Sequence, residues 1–248
     1  MNKLNGKIAL ITGGSTGLGF ATADRFLDEG AEVIITGRRQ AELDSAVKQL
    51  GRNVLGVQGD VSNLADLDRL YGTIQKEKGQ LDIVFANAGG GSFAALGSIT
   101  EEHFDQIFNI NVKGLVFTVQ KALPLLKDGG AIILNASIAG SMGMAAFSVY
   151  SATKAAVRSF ARTWTSDLKE RKIRVNVISP GPVPTEGYRN LGDEEALEKF
   201  VAQLAEQVPL GRVGRPDEIA KAVVFLASDD SSFVAGAELV ADGGMVAV

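Results

Sequence analysis

The stretch Ile8-Ala9-Leu10-Ile11-Thr12, followed by Gly13-Gly14-Ser15-Thr16-Gly17-Leu18-Gly19, decides the fold. A short apolar run makes a buried strand, and the spaced glycines turn the chain sharply into a helix beginning near Gly17. Such a turn points backbone N–H groups at the positive end of a helix, where a pyrophosphate binds well. The spacing is G-x-x-x-G-x-G rather than the commoner G-x-G-x-x-G, and alone it fits any tight strand–helix connection. Its position after the first strand of an alternating pattern gives the phosphate reading its weight.

Working outward, Glu32–Thr36, Val54–Gln58, Asp82–Ala86, Ala131–Asn135, Arg174–Ile178 and Glu238–Ala241 read as further strands. They are nearly continuously hydrophobic, as parallel strands covered on both faces are. Helical stretches separate them. One runs from about Gly17 to Glu29 and stops at Gly30, a second runs from Gln40 to Leu50, and a third is expected from about Glu101 to Lys127. Ser62 and Thr100 are plausible N-caps, and Pro216 suits the first turn of the last helix. Strand–helix alternation of this kind predicts an α/β fold: a doubly wound (Rossmann) parallel sheet of about seven strands with helices on both faces. Without an internal repeat or low-complexity linker, residues 1–248 read as a single domain. The stretch from about 183 to 214, with Pro184, a charged helical run from Asp193 to Gln207 and Pro209, breaks the rhythm. It reads as a substrate lid, since ligands bind beyond the C-terminal ends of such strands; a surface excursion is the alternative.

Composition narrows the chemistry. There is no Cys and one His, so thiol catalysis, Cys-ligated metals and His clusters are excluded, and no metal site is expected. His103 follows Thr100 beside Glu101 and Glu102 and reads as solvated. The 29 glycines in 248 residues exceed the usual ~7% and sit at the ends of apolar runs. A net charge of −4 with no basic tail argues against nucleic acid and anionic membranes as partners. The polar Met1–Lys7 start shows no signal-peptide pattern and no run is long enough to span a bilayer, so a cytoplasmic protein is expected.

The second strand ends in Thr36-Gly37-Arg38-Arg39. A dinucleotide fold usually places there an acid for the adenosine ribose; a cation suits a 2′-phosphate instead, although surface arginines are common. Asp60 and Val61 follow strand three, where the carboxylate can accept from an adenine amino group, and Asn87-Ala88-Gly89 follows strand four. Ser137 lies just past strand five, and Tyr150 and Lys154 share a helix face at i, i+4. One Tyr-x-x-x-Lys pair alone is a common surface pattern. A carbonyl that accepts hydride, however, needs a proton donor and hydrogen bonds to its oxygen. Tyr150 and Ser137 supply these, and a nearby ammonium favours phenolate. Asn111 is an odd polar choice amid Ile110, Val112 and Leu115; it can hold a water reaching Lys154 or be a satisfied core amide.

This set, ending with Asp242-Gly243-Gly244, resembles the short-chain dehydrogenase/reductase family over essentially the whole chain. The resemblance implies an NADP-preferring oxidoreductase that moves hydride between NADP(H) and a ketone or aldehyde. In it Tyr150 is general acid/base, Lys154 lowers its pKa and holds the nicotinamide ribose, Ser137 orients the carbonyl and Asn111 supports a proton relay. It also implies a cofactor site of Gly13, Ser15, Thr16, Gly17, Leu18, Gly19, Arg38, Arg39, Asp60, Val61, Asn87, Ala88, Gly89, Tyr150, Lys154, Pro180, Gly181, Val183 and Thr185. A homotetramer is implied, one interface using the helices that contain Asn111 and Tyr150; the apolar tail Met245–Val248 fits docking against protein. Within the family, a 3-oxoacyl-carrier-protein reductase would need a basic patch, for which Arg158, Arg162 and the Lys169–Arg174 cluster are candidates, and a sugar dehydrogenase fits equally. A non-catalytic NADP(H)-sensing regulator is the alternative of a different class; it would not need Ser137, Tyr150 and Lys154 intact.

Overall fold

The computed structural model describes residues 2–51, 53–186, 188 and 193–247. Of the stretch expected to form a lid, residues 187 and 189–192 lie outside the described residues, as does Val248 of the apolar tail. Seven strands, β1 (Ile8–Thr12), β2 (Glu32–Gly37), β3 (Val54–Gln58), β4 (Leu81–Ala86), β5 (Leu126–Asn135), β6 (Arg174–Pro180) and β7 (Glu238–Ala241), form one sheet in the order β3-β2-β1-β4-β5-β6-β7. Every pairing is parallel, as the uninterrupted apolar runs require. Strand order runs outward in opposite directions from β1 and β4. Their carboxyl ends therefore flank the switch point, where a doubly wound sheet opens a crevice.

Alternate side chains of each strand face opposite layers. Leu10, Ile34, Val84, Ile132 and Val177 pack with Leu67, Leu70 and Ile74 of α3 (Leu64–Glu77), Leu115 and Val119 of α5 (Leu115–Ala122), and Val157 of α6 (Ser148–Asp167). On the other face Ile11, Val33, Ile35, Phe85 and Ile133 meet Phe26 of α1 (Gly17–Asp28), Leu43 of α2 (Gln40–Leu50), and Ile219 and Val223 of α8 (Pro216–Ala227). Each such side chain contributes roughly 1.5–3 kcal/mol on burial, so the two layers hold the strand tips firmly in place. No helix among the described residues is long and apolar enough to cross a membrane.

Two local expectations need correction. The third helix ends early: α4 (Glu101–Phe108) passes through a π-helical turn, Asn109–Gly114, into α5, which stops at Ala122. Pro124 has no N–H to donate and disfavours helix in the residue before it, so Leu126 and Lys127 join β5 instead. The N-cap of α3 is Asn63, whose side chain accepts from Ala65 N–H at 3.0 Å, not Ser62. Ser62 turns back to Asp60, donating its hydroxyl at 2.7 Å. Thr100 does cap α4, accepting from His103 N–H, and Pro216 does open α8.

Candidate active site

The two central strand tips are locked together by one buried threonine. Thr12 Oγ1 accepts from the N–H groups of Asn87 and Ala88, both at 3.0 Å. Asn87 Nδ2 returns bonds to Thr12 O at 2.9 Å and Gly13 O at 3.2 Å. Gly13 takes a left-handed φ of 63°, and a Cβ there would lie 3.1 Å from the Ala88 backbone. A Cβ on Gly19 would collide with the Gly13 carbonyl, so that glycine is what lets α1 begin directly behind the turn. Thr16, the N-cap of α1, makes no side-chain capping bond, and the first turn carries no acid. Its N–H groups and positive dipole end are thus available to an anion. Thr185 lies over this turn, its side chain 3.3 Å from where a Gly17 Cβ would sit.

At the β2 tip, Ser15 fits against Gly37, where a Cβ would meet its hydroxyl at 2.7 Å. Arg38 extends beside them, its side chain 65% exposed and 3.9 Å from the Asp60 carboxylate. Arg39 is held by Glu42 at 2.7 Å. Asp60 Oδ1 accepts from Ser62 N–H at 2.8 Å and from its hydroxyl. The Val61 side chain is buried and would strike a Cβ on Gly114 at 2.8 Å, so only its backbone is free to face a ligand. Leu18 likewise packs on the apolar layer. Gly181 passes Asp242 so closely that a Cβ would lie 2.6 Å from the Asp242 Cα, which sets Pro180 and Gly181 beside β7; Val183 beyond them is buried.

The third cluster forms where β5 ends and α6 begins. Lys154 is 4% exposed and donates to the Asn135 carbonyl at 2.8 Å, with its Nζ 5.4 Å from the Tyr150 ring centre. Burial pushes its pKa down from 10.5 to about 8. Burial likewise raises the Tyr150 phenol to about 12, opposed by a hydrogen bond from Ser137. In the free protein desolvation is the largest effect on Tyr150, and the phenol stays protonated. Asn111 is 1% exposed; its Nδ2 donates to Gly90 O at 2.9 Å and Thr153 Oγ1 at 3.0 Å, while its Oδ1 accepts from Gly90 N–H at 3.0 Å. Both amide donors are spent inside the protein, and the side chain ties the π-helical turn to the β4 loop and α6.

The family model described as Enoyl-(Acyl carrier protein) reductase matches residues 13–246. The chain belongs to the short-chain dehydrogenase/reductase family. It is 48% identical to the oxidoreductase asL5 of Sarocladium schorii, over 100% of this chain and 99% of that one. It is 35% identical to the NADP-dependent (R)-specific alcohol dehydrogenase of Lentilactobacillus kefiri, over 99% of each. A short-chain type dehydrogenase/reductase of Mycobacterium marinum superposes with a TM-score of 0.92 at 32% identity, covering 100% of this chain and 98% of that one.

In this short-chain dehydrogenase/reductase, several residues near the cluster had no signal in the sequence. Asn135 connects the crevice to the lysine: its Nδ2 donates to Asn87 Oδ1 at 2.9 Å, and its carbonyl holds Lys154. It ends a strand, so nothing local marks it. Tyr188, three residues past Thr185, lies close enough to Tyr150 that the two phenols resist ionising together. Phe147 stacks on the Tyr150 ring with centres 4.4 Å apart. His103 is half-buried rather than solvated, and its Nε2 reaches Ser92 O at 3.2 Å, because α4 packs beneath the loop after β4. Half of the cations weighed as a carrier-protein patch are engaged internally. Arg171 bonds Asp128 and the carbonyls of Leu123 and Leu126, and Arg174 bonds Ser231 and the carbonyls of Leu226 and Ser228. Arg158 bonds Ser141 and pairs with Glu238.

Proposed function

We propose that this oxidoreductase reduces a ketone or aldehyde with NADPH, or runs the reverse alcohol oxidation, with Tyr150 as general acid/base. The observation that carries this reading is the meeting of Ser137, Tyr150 and Lys154 at the C-terminal edge of β5, one residue bridge, Asn135, away from the β4 tip. A nicotinamide cofactor fits the crevice residues: Gly13, Gly17 and Gly19 add no side chains of their own to the turn, the α1 N-terminus has no side-chain cap, and Asn135 Oδ1 is buried without a hydrogen-bond partner among the described residues. The bound cofactor supplies the hydride.

The chain's own residues handle the proton and the orientation. Ser137 donates a hydrogen bond to the carbonyl oxygen, and the Tyr150 O–H gives that oxygen its proton as hydride arrives at carbon. The Lys154 ammonium, buried beside the ring, favours the phenolate left behind, so the phenol is a stronger acid with the lysine charged. Lys154 also holds the nicotinamide ribose, and Pro180, Gly181, Val183 and Thr185 border the nicotinamide end. Gly13, Ser15, Thr16, Gly17, Leu18 and Gly19 hold the pyrophosphate by backbone, and Asp60, Val61, Asn87, Ala88 and Gly89 flank the adenosine. Arg38 takes the 2′-phosphate; Arg39, already paired with Glu42, ranks behind it. Asn111 supports the proton relay by holding a water that links Lys154 to solvent. The span of about 183–214, whose amphipathic α7 (Glu194–Gln207) meets Tyr188 through Phe200, acts as the lid, and the single unit assembles as a homotetramer in the cytoplasm.

The test is a turnover screen following loss of NADPH across ketones, 3-oxoacyl thioesters and sugars. Reduction of at least one simple ketone is expected. No turnover with any carbonyl, alongside tight NADPH binding, would return the protein to the sensing alternative. Light scattering at micromolar concentration checks the tetramer, and a monomer there refutes it.

A further inference from the structure

The loop after β4 and the segment between β5 and α6 build an aromatic ladder that catalysis by Ser137, Tyr150 and Lys154 does not require. Phe93 stacks on Phe147 with ring centres 4.5 Å apart, and Phe147 stacks on Tyr150 at 4.4 Å. The three rings run without a break from the proton donor to solvent, where Phe93 is 49% exposed. A large apolar ring left half exposed at the end of this stack, with Phe147 half-buried behind it, marks a binding surface rather than core.

The arrangement is held in place at several points. Ala94 N–H donates to Ala146 O at 2.8 Å, joining the two segments directly beside the Phe93–Phe147 contact. Ala146 takes a φ of 58°, a left-handed conformation an alanine adopts at a cost. That turn is what presents Phe147 to Tyr150. The His103 contact at Ser92 O pins the other side of Phe93. Gly91 leaves room for the Tyr150 ring, since a Cβ there would lie 2.5 Å from Tyr150 Cδ2, and Gly90 has open space where a side chain would be. Tyr188, close to Tyr150, packs edge-on against Phe200 of α7 at 5.9 Å.

We infer that the substrate is a ketone carried on a planar aromatic ring system, seated along the Phe93–Phe147 ladder with its carbonyl at Tyr150. This rests on the carbonyl-reductase reading above and names its substrate class. Hydride adds to the carbonyl carbon, the Tyr150 proton goes to the oxygen, and the aromatic ring is untouched. An aromatic face or edge gains from the quadrupoles of the rings what a saturated ring of the same size does not.

The pair 2-tetralone and 2-decalone tests this, because the carbonyl of 2-tetralone is not conjugated with its ring. Wild type is expected to favour 2-tetralone in kcat/KM by about two- to twelve-fold for each ring engaged. Phe93→Leu, whose ring does not touch Tyr150, should bring the ratio toward one, and Phe147→Leu should do so more strongly. A wild-type ratio of one or less, or a ratio that both substitutions leave unmoved, overturns the inference while the reductase reading survives. Equilibrium dialysis with 2-naphthol, which has no carbonyl to reduce, separates the two. Should neither ketone be reduced while 2-naphthol binds wild type and binds Phe93→Leu several-fold more weakly, the slot stands and the reductase reading falls. Equal 2-naphthol binding by both proteins overturns the slot.

Discussion

The two ends of the cofactor crevice solve the problem of holding charge in opposite ways. At the β5–α6 end, Lys154 and Asn111 are almost wholly buried, and their side-chain hydrogen bonds run to Asn135, Gly90 and Thr153 inside the protein. At the β2 end, Arg38 stands largely in solvent with only a 3.9 Å approach to Asp60. In the first, desolvation sets the protonation state, moving Lys154 to about 8 and Tyr150 to about 12. In the second, water and salt screen the charge, so it can select a ligand but exerts little internal force. Substitutions should therefore act through rate and pH at the buried end, and through cofactor choice and ionic strength at the exposed end.

The largest effect belongs to Tyr150. Tyr150→Phe keeps the ring in the ladder and removes only the proton, so kcat should fall by roughly 10²–10⁴ with NADPH affinity nearly unchanged. Turnover within a few-fold of wild type would remove Tyr150 from the mechanism, and with it the contrast between the two ends.

Lys154→Met comes next and cuts both ways. Loss of a charged donor to the cofactor and of the charge beside the phenol should lower kcat/KM for NADPH by roughly ten- to over a hundred-fold. In wild type the same parameter should decline as pH rises through about 8, where the buried ammonium deprotonates, and that limb should vanish in the variant. Stability should move the other way. The folded-state pKa of Lys154 is depressed from 10.5 to about 8, so the unfolded chain holds that proton more tightly, and the fold carries a penalty at neutral pH that eases as pH rises from about 8 to 10.5. At about 1.4 kcal/mol per unit this is on the order of 3 kcal/mol, offset in the variant by the lost charge-assisted bond to Asn135, worth about 1.5–3, which leaves a small net gain. Lys154→Met should thus unfold at higher denaturant at pH 7, with the gain shrinking by pH 10. A destabilised variant at pH 7 would mean that the ammonium is not desolvated as the geometry implies.

How much of this was legible depends on how local the signal is. The glycine turn, the strands and the Tyr150-x-x-x-Lys154 pair are contiguous patterns, and they emerge where the sequence places them, with β3 and α2 matching residue for residue. The π-helical turn around Asn111 was not visible, because helical periodicity barely distinguishes one extra residue per turn. Pro124 was visible and should have ended the third helix; an apolar run on both sides masked it. The aromatic ladder had no local signature at all. Phe93 and Phe147 meet only because β4 and β5 are neighbours in the sheet, so their loops emerge side by side. Asn135 was hidden in the same way, reading as the polar end of a strand until β4 was placed beside it.

At the exposed end, Arg38→Asp tests cofactor choice. Wild type should prefer NADPH over NADH in kcat/KM by about ten- to over a hundred-fold, the worth of one hydrogen bond between charged groups. The variant presents an acid that accepts from ribose hydroxyls and repels a 2′-phosphate, so the preference should vanish or reverse. Equal use of both cofactors by wild type would mean that Arg38, in spite of its place beside Gly37 and Ser15, points away from the ribose.

The smallest effect sharpens the comparison most, since it needs no substitution. Arg38 is exposed, so its attraction for a 2′-phosphate should weaken as the Debye length contracts from about 10 Å at 0.1 M salt to about 3 Å at 1 M. NADH lacks that phosphate and shares every other contact, so its affinity should weaken less. The NADPH-to-NADH ratio of dissociation constants should therefore drift toward one by a few-fold across this range, and in Arg38→Asp, where the acid repels the phosphate, it should approach one from the opposite side. Lys154 is shielded from bulk ions by the protein around it, so the pH limb near 8 should stay in place over the same salt range. A limb that shifts with salt, together with a cofactor ratio that does not, would invert the assignment of buried and screened charge to the two ends.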